Sequence, residues 1–128
     1  MSSGFSIQAI HHVSFIVSDI AKSLRFYVNL LGCNIDLSRP ELGYPGAWLR
    51  IGFGQLHLLQ VPNPDPTQDR PIHGGRDRHL ACTVMNLADL EAILTQAGVT
   101  YTKSKSGRRA LFTRDPDGNA LEFIESNQ

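Results

Sequence analysis

His12, His57, His79 and Glu122 are spread over most of the chain, yet they stand at matching points of two half-length copies of one pattern. His12 opens HVSFIVSDIA and His79 opens HLACTVMNLA, and the offset of 79−12=67 also aligns Val17 with Val84, Asp19 with Asn86, Ile20 with Leu87 and Ala21 with Ala88. Near the ends of the copies Leu56-His57-Leu58-Leu59 falls opposite Leu121-Glu122-Phe123-Ile124, with 122−57=65, a difference that a shorter second loop absorbs. Three imidazoles and one carboxylate suit one borderline divalent ion (zinc, nickel, cobalt, iron or manganese), whereas calcium and magnesium prefer oxygen ligands. Such an ion would keep positions open for substrate or water, where it could polarise a carbonyl or steady an enediolate while a ligand or neighbour moves the proton.

A histidine in a strand is by itself more often a packed side chain than a ligand; the symmetric placement is what singles these three out. Glu122 lies among Ala120, Leu121, Phe123 and Ile124, where an ionised carboxylate is costly without a cation or hydrogen-bond donors. His11 and His73 have no counterpart in the repeat and read as surface residues or neighbours of the site.

The elements that must position these residues follow from periodicity. Residues 7 to 17 are β-rich, and alternation sets Val13, Phe15 and Val17 on the face opposite His12, Ser14 and Ile16. Asp19 is a reasonable N-cap for a helix in which Ile20, Leu24, Tyr27, Val28 and Leu31 recur at helical spacing before Gly32 stops it. Asn34 to Leu37, Ala47 to Phe53 and Gln55 to Val61 read as three strands, so the first half is βαβββ. The second half repeats that order, with a strand over 79–84, a helix over 87–97 and strands near 99–103, 109–114 and 120–125. Asp115-Pro116-Asp117-Gly118 is a turn signal that joins the last two strands as a hairpin. Between the halves, residues 62–78 are rich in proline and charge without periodicity, the composition of an exposed connection. The expectation is an α+β chain of two tandem βαβββ modules, 7–61 and 79–125, whose first and last strands all carry candidate ligands. Paired by a pseudo-twofold, they would bring the four side chains together.

At 128 residues the chain suits a single domain, 1–128. Twelve Lys plus Arg balance twelve Asp plus Glu, so no overall field favours a nucleic acid or an anionic membrane. Cys33 and Cys82 form no CxxC pair and read as reduced thiols, which points to a cytoplasmic protein. The N-terminal MSSGFSIQ lacks the basic and apolar regions of a secretion signal, residues 1–6 read as a loose tail, and no apolar run nears the roughly 20 residues that span a bilayer.

The runs HHVSFIVSDIAKSLRFYVNLLG, GQLHLL, RHLAC and DPDGNALEFIE resemble the vicinal oxygen chelate superfamily of glyoxalase I, extradiol dioxygenases, methylmalonyl-CoA epimerase, fosfomycin-modifying enzymes and bleomycin-binding proteins. The resemblance covers roughly Ile7 to Glu125, and RPELGYPGAWLRIGFGQLHLLQ is similar to a glyoxalase-like branch. It implies an incomplete barrel of two βαβββ modules around a metal, with His12, His57, His79 and Glu122 as ligands, a small-molecule substrate and a homodimer whose site lies within one chain or across two. A glyoxalase I-like lyase or isomerase would use Glu122, with His57, to move the proton through a metal-stabilised enediolate. His57 stands where glyoxalase I enzymes usually carry glutamate, which leaves glutathione use open. The alternatives are an iron(II) extradiol dioxygenase with His12, His79 and Glu122 as its triad and His57 as acid–base, a non-catalytic binder of the bleomycin type, and, as a minor option, fosfomycin-type thiol transfer. Against the dioxygenase, Phe112 replaces the tyrosine expected before the turn. Trp48, Arg50, Arg109 and Phe112 are the residues expected to contact substrate, and Arg50, Arg76, Arg78, Lys103, Arg108 and Arg109 are the cations that could hold a substrate carboxylate or phosphate.

Overall fold

The computed structural model describes residues 4–126, so residues 1–3 of the expected tail fall outside it. Four strands, β1 (His12–Ile16), β2 (Asn34–Asp36), β3 (Gly46–Ile51) and β4 (Gly54–Leu59), form one sheet in the order β1-β4-β3-β2. The second module repeats it with β5 (His79–Val84), β6 (Tyr101–Lys103), β7 (Ala110–Arg114) and β8 (Ala120–Glu125) in the order β5-β8-β7-β6. In both, the first strand runs parallel to the last and the remaining pairs are antiparallel. A parallel pair needs a crossover, and the helix after each first strand supplies it. Both sheets are open, so the two βαβββ modules do not close into a full barrel.

β1 is shorter than the pattern over 7–17 suggested. Its first partner is Gln55, which lies opposite His12 and whose N–H donates to the His11 carbonyl, and β4 begins only one residue earlier, so residues 7–10 have no strand partner. The first helix also departs from a regular period. It starts as α1 (Ile20–Leu24), capped by Asp19, whose side chain accepts from the backbone of Ala21 and Lys22. It then widens into a π-helical stretch, Arg25–Leu30, in which Leu31 N–H reaches back to the Phe26 carbonyl. Phe26 and Tyr27, within this stretch, are both buried. The second helix, α2 (Leu87–Gln96), follows Asn86 in the left-handed region at φ 57°, with no cap from the Asn86 side chain. Glu125 of β8 caps it instead, accepting from Leu87 N–H at 2.9 Å.

Alternation along the strands sorts the residues onto two faces. Leu49, Leu56, Leu58, Leu111, Leu121 and Phe123 join Tyr27, Phe26, Leu87 and Leu94 in one apolar cluster drawn from both modules. Each leucine fully buried there contributes about 2 kcal/mol. His12, Trp48, His57, His79, Phe112 and Glu122 occupy the opposite faces.

Two polar nodes fasten the modules to each other and to the connection. At the turn after β7, Asp115 accepts from the Tyr27 hydroxyl at 2.8 Å, from Asn119 Nδ2 at 2.9 Å and from the backbone of Asp117 and Asn119. Asn119 Nδ2 also donates to the Ile16 carbonyl, tying the turn to the end of β1. The second node is Asp77, which lies in the segment read as an exposed connection yet has a side chain only 7% exposed. Arg70 grips it through two bonds of 2.7 and 3.0 Å, and Arg114 adds a third at 2.8 Å. Arg70, then Arg114, holds the Asp77 carboxyl far below the ordinary carboxylate range.

Because the folded value is lowered, the stabilisation from Asp77 is complete above the unfolded value of about 4 and is lost as pH falls through the folded one. Asp77→Asn lowers the unfolding free energy in urea by about 3 kcal/mol near neutral pH, and the deficit relative to wild type shrinks in strong acid. A wild-type midpoint would show Asp77 to be dispensable.

Candidate metal centre

On the first module, sheet register puts Ser14, His57, Trp48 and Asp36 in one row and His12, Gln55, Arg50 and Asn34 in the next. The second module matches it, with Ala81, Glu122, Phe112 and Thr102 in one row and His79, Ala120 and Arg114 in the next. Thus His57 corresponds to Glu122 and His12 to His79, as the repeat requires, and Trp48 corresponds to Phe112.

In the second module, His79 Nε2 stands 3.2 Å from Glu122 Oε1, and His79 Nδ1 lies 2.9 Å from the Asp77 carbonyl. A carbonyl accepts only, so Nδ1 carries the hydrogen and Nε2 is the nitrogen turned to the carboxylate. Metal-binding histidines are oriented in this way, one nitrogen tied to a carbonyl and the other presented to the ion. Glu122 is only 3% exposed, and Arg108 Nη2 meets its other oxygen at 3.2 Å. Beside it, the 3-10 turn Gly74–Arg76 of the connection lies against Phe112 and Ala120. A Cβ at Gly74 would stand 3.2 Å from Phe112 Cβ, so glycine permits the close approach. His73 serves this turn: Nδ1 accepts from Gly75 N–H at 3.0 Å and Nε2 donates to the Lys103 carbonyl at 3.1 Å.

In the first module, the His57 ring is sandwiched between His12, 4.0 Å away and 13° from parallel, and Trp48, 4.5 Å away and 9° from parallel. Gln55 Nε2 donates to Asp36 Oδ2 at 2.8 Å, which turns Gln55 Oε1 toward His57 Nε2, also at 2.8 Å. His57 must donate that bond, so its Nε2 holds the hydrogen and Nδ1 keeps the lone pair. Burial, followed by the neighbouring charges of His12 and His11, pushes the His57 pKa down. His12 meets His11 through Nδ1 at 2.8 Å, which leaves its Nε2 as the outward nitrogen.

The donor set fits a divalent ion residue by residue, with one reservation of geometry. His79, Glu122 and His12 each offer an atom suited to a ligand, but two nearly parallel rings at stacking distance do not aim their in-plane lone pairs at one point. His12 and His57 can share an ion only if one ring turns.

The four residues therefore stand as two pairs. Among the described residues of one chain, no three His, Cys, Asp or Glu side chains gather as a group able to hold a metal. The cleft between β1 and β5, about 350 Å³, is lined by Ser14, Arg78, His79 and Asn119 but by neither His57 nor Glu122. Of the residues expected to contact substrate, Trp48, Arg50 and Phe112 share faces with the two pairs. Arg109 lies apart, bonded to Glu125 at the start of α2. Alternation sets Gln55 on the face of His57, but the part of Asp36 is not legible in the sequence, since its bond to Gln55 requires the register of β2 on β3 and β4.

Residues 9–123 match the family model of the glyoxalase/bleomycin resistance protein/dioxygenase superfamily, and the chain belongs to that superfamily. An uncharacterized Bacillus subtilis protein, YwkD, is 35% identical, the match covering 93% of this chain and 98% of that protein. Glyoxylase I 4 of Arabidopsis thaliana is 31% identical, covering 91% of this chain and 70% of its own length. The crystal structure of a Bacillus anthracis protein placed in the glyoxalase family superposes with a TM-score of 0.76 at 21% identity, covering 96% of this chain and 98% of that one. The fold expected from the repeat is the fold of that crystal structure. No helix among the described residues is long and apolar enough to cross a membrane.

A lowered folded value for His57 means that the unfolded chain binds the extra proton, so its contribution to stability is present above about pH 6.5 and declines as pH falls below it. In ¹⁵N-resolved titrations of the metal-free protein, His57 has its midpoint below that ordinary value and a slowly exchanging Nε2 hydrogen. Gln55→Ala removes the exchange protection. An ordinary midpoint with fast exchange in the wild type would contradict the assigned hydrogen bond.

Proposed function

We propose that this chain is a divalent-metal-dependent lyase or isomerase of the glyoxalase I type, acting on a small substrate that presents two neighbouring oxygens. Its site is completed when the His12–His57 face of one copy meets the His79–Glu122 face of another, so the working unit is a homodimer. The observation that carries this reading is Glu122, a buried carboxylate facing the free nitrogen of a histidine whose other nitrogen is tied to a backbone carbonyl. Two further observations support completion across copies. The half-sites sit at equivalent positions of two like sheets without meeting in one chain, and Ile7 and Ile10, just ahead of His12, are 86% and 80% exposed. The Arabidopsis relative's name, Glyoxylase I 4, supports the reaction class.

When bound, the ion supplies Lewis acidity toward the substrate carbonyl and so acidifies the adjacent carbon. The chain's residues do the remainder. His12, His79 and Glu122 would hold the ion; Glu122, buried beside it, would take the proton from the carbon acid and return it to the neighbouring carbon. His57, kept neutral by its surroundings, stands beside them as a further ligand or a second acid–base group. Trp48 and Phe112 form the apolar walls, and Arg50 is free enough, at 3.8 Å from Asp36, to meet a charged group.

The His12–His57 stack favours a second reading. With only one of those rings aimed at an ion, the protein ligands reduce to His12, His79 and Glu122, the two-histidine, one-carboxylate set of iron(II) oxygenases, with His57 as acid–base. Catechol cleavage separates it from the isomerase in a substrate screen.

Sites shared between copies complement each other. His12→Ala and Glu122→Ala homodimers each lose the metal, whereas co-expressed mixed dimers contain one intact site and recover about half the wild-type metal. Absence of recovery in mixed dimers, with both variants folded by circular dichroism, would place the whole site in one chain.

A further inference from the structure

We propose that Arg108 is the anion-binding residue of this site and that it rests on Glu122 only until a metal ion takes that carboxylate; the inference depends on the metal-centre reading above. The two oxygens of Glu122 have different neighbours at 3.2 Å: Oε1 faces His79 Nε2, and Oε2 accepts from Arg108. The two partners differ in character. His79 is fixed on β5 by its bond to Asp77, whereas the Arg108 side chain is 58% exposed and stands on the loop between β6 and β7. That loop holds itself through small hydroxyl bonds, Ser106 Oγ accepting from Arg108 Nε at 3.3 Å, and turns at Gly107 with φ +87°. A guanidinium so placed can rotate away without disturbing the sheet.

The neighbouring arginines cannot do this. Arg109 is bonded to Glu125, which also caps α2. Arg114 is bonded to Asp77 and to the carbonyls of Gly118 and Pro71. Of these three, Arg108 alone has a candidate metal ligand as its carboxylate partner.

A buried carboxylate needs a cation, and in the metal-free protein Arg108 supplies it. A divalent ion held by His79 and Glu122 would satisfy the same carboxylate with twice the charge and would repel the guanidinium beside it. Arg108 would then have its fork free at the rim of the centre, available to a planar oxyanion on the bound ligand. The substrate class is thereby narrowed to compounds that pair a two-oxygen chelating group with a carboxylate. Arg108 thus has opposite effects on two equilibria, opposing metal binding and favouring the anionic ligand. A merely structural contact would not do both.

The test uses zinc and two bidentate chelators, acetohydroxamate and succinic acid monohydroxamate, which differ by a carboxylate. Zinc affinity is measured by competition with a chromophoric chelator. Arg108→Ala is expected to bind zinc about three- to tenfold more tightly than wild type. Zinc-loaded wild type prefers the carboxylated hydroxamate about tenfold; Arg108→Ala abolishes that preference and Arg108→Lys keeps part of it. The Arg108 Nε–H resonance shifts when zinc is added. If wild type takes up no zinc, the metal-centre reading fails. If zinc binds but Arg108→Ala leaves both equilibria unchanged, or weakens zinc, the inference on Arg108 is overturned and the metal centre stands.

Discussion

The parallel pairing of the first strand of each module with its last is the constraint on which everything else rests. It brings residues from the two ends of a half-chain to adjacent positions, so that His12 lies beside Gln55 and one row from His57, and His79 lies beside Ala120 and one row from Glu122. It also demands a helical crossover, which packs on one face and leaves the other to polar and aromatic side chains. Strand alternation then decides membership: Leu56 and Leu58 go to the core while Gln55 and His57 face outward. A two-residue insertion within β4 would keep that alternation but shift His57 away from His12 and Trp48.

The two modules use one geometry for different chemistry. At the position where the first carries an imidazole covered by two rings, the second carries a buried carboxylate next to Phe112, against which the connection packs. Asp77 links that connection to the chemistry, since its side chain locks Arg70 and Arg114 while its carbonyl orients His79. A residue that stabilises the fold is thus also one that aims a candidate ligand.

Much of this was legible in the sequence because the repeat is a physical statement: two copies of one hydrophobic pattern must bury matching faces. It identified the strand carrying each candidate ligand, the crossover helices and the Asp115-Pro116-Asp117-Gly118 hairpin. Other features depend on contacts between segments distant in sequence. The π-helical stretch carries Tyr27, whose hydroxyl reaches Asp115 in the other module. The Asp36–Gln55–His57 chain requires three strands in register, and Glu125 caps a helix 38 residues away along the chain. The separation of the four candidate residues into two pairs depends on how the modules pack, and periodicity within a module carries no information on that.

Anomalous diffraction at the zinc edge from crystals of the zinc-loaded protein addresses the central claim most directly. The account predicts one zinc peak per chain, each bounded by His79 Nε2 and Glu122 of one copy and by His12 of the other, with His57 adjacent. A zinc held by residues of a single chain, or a peak away from Glu122, would contradict it.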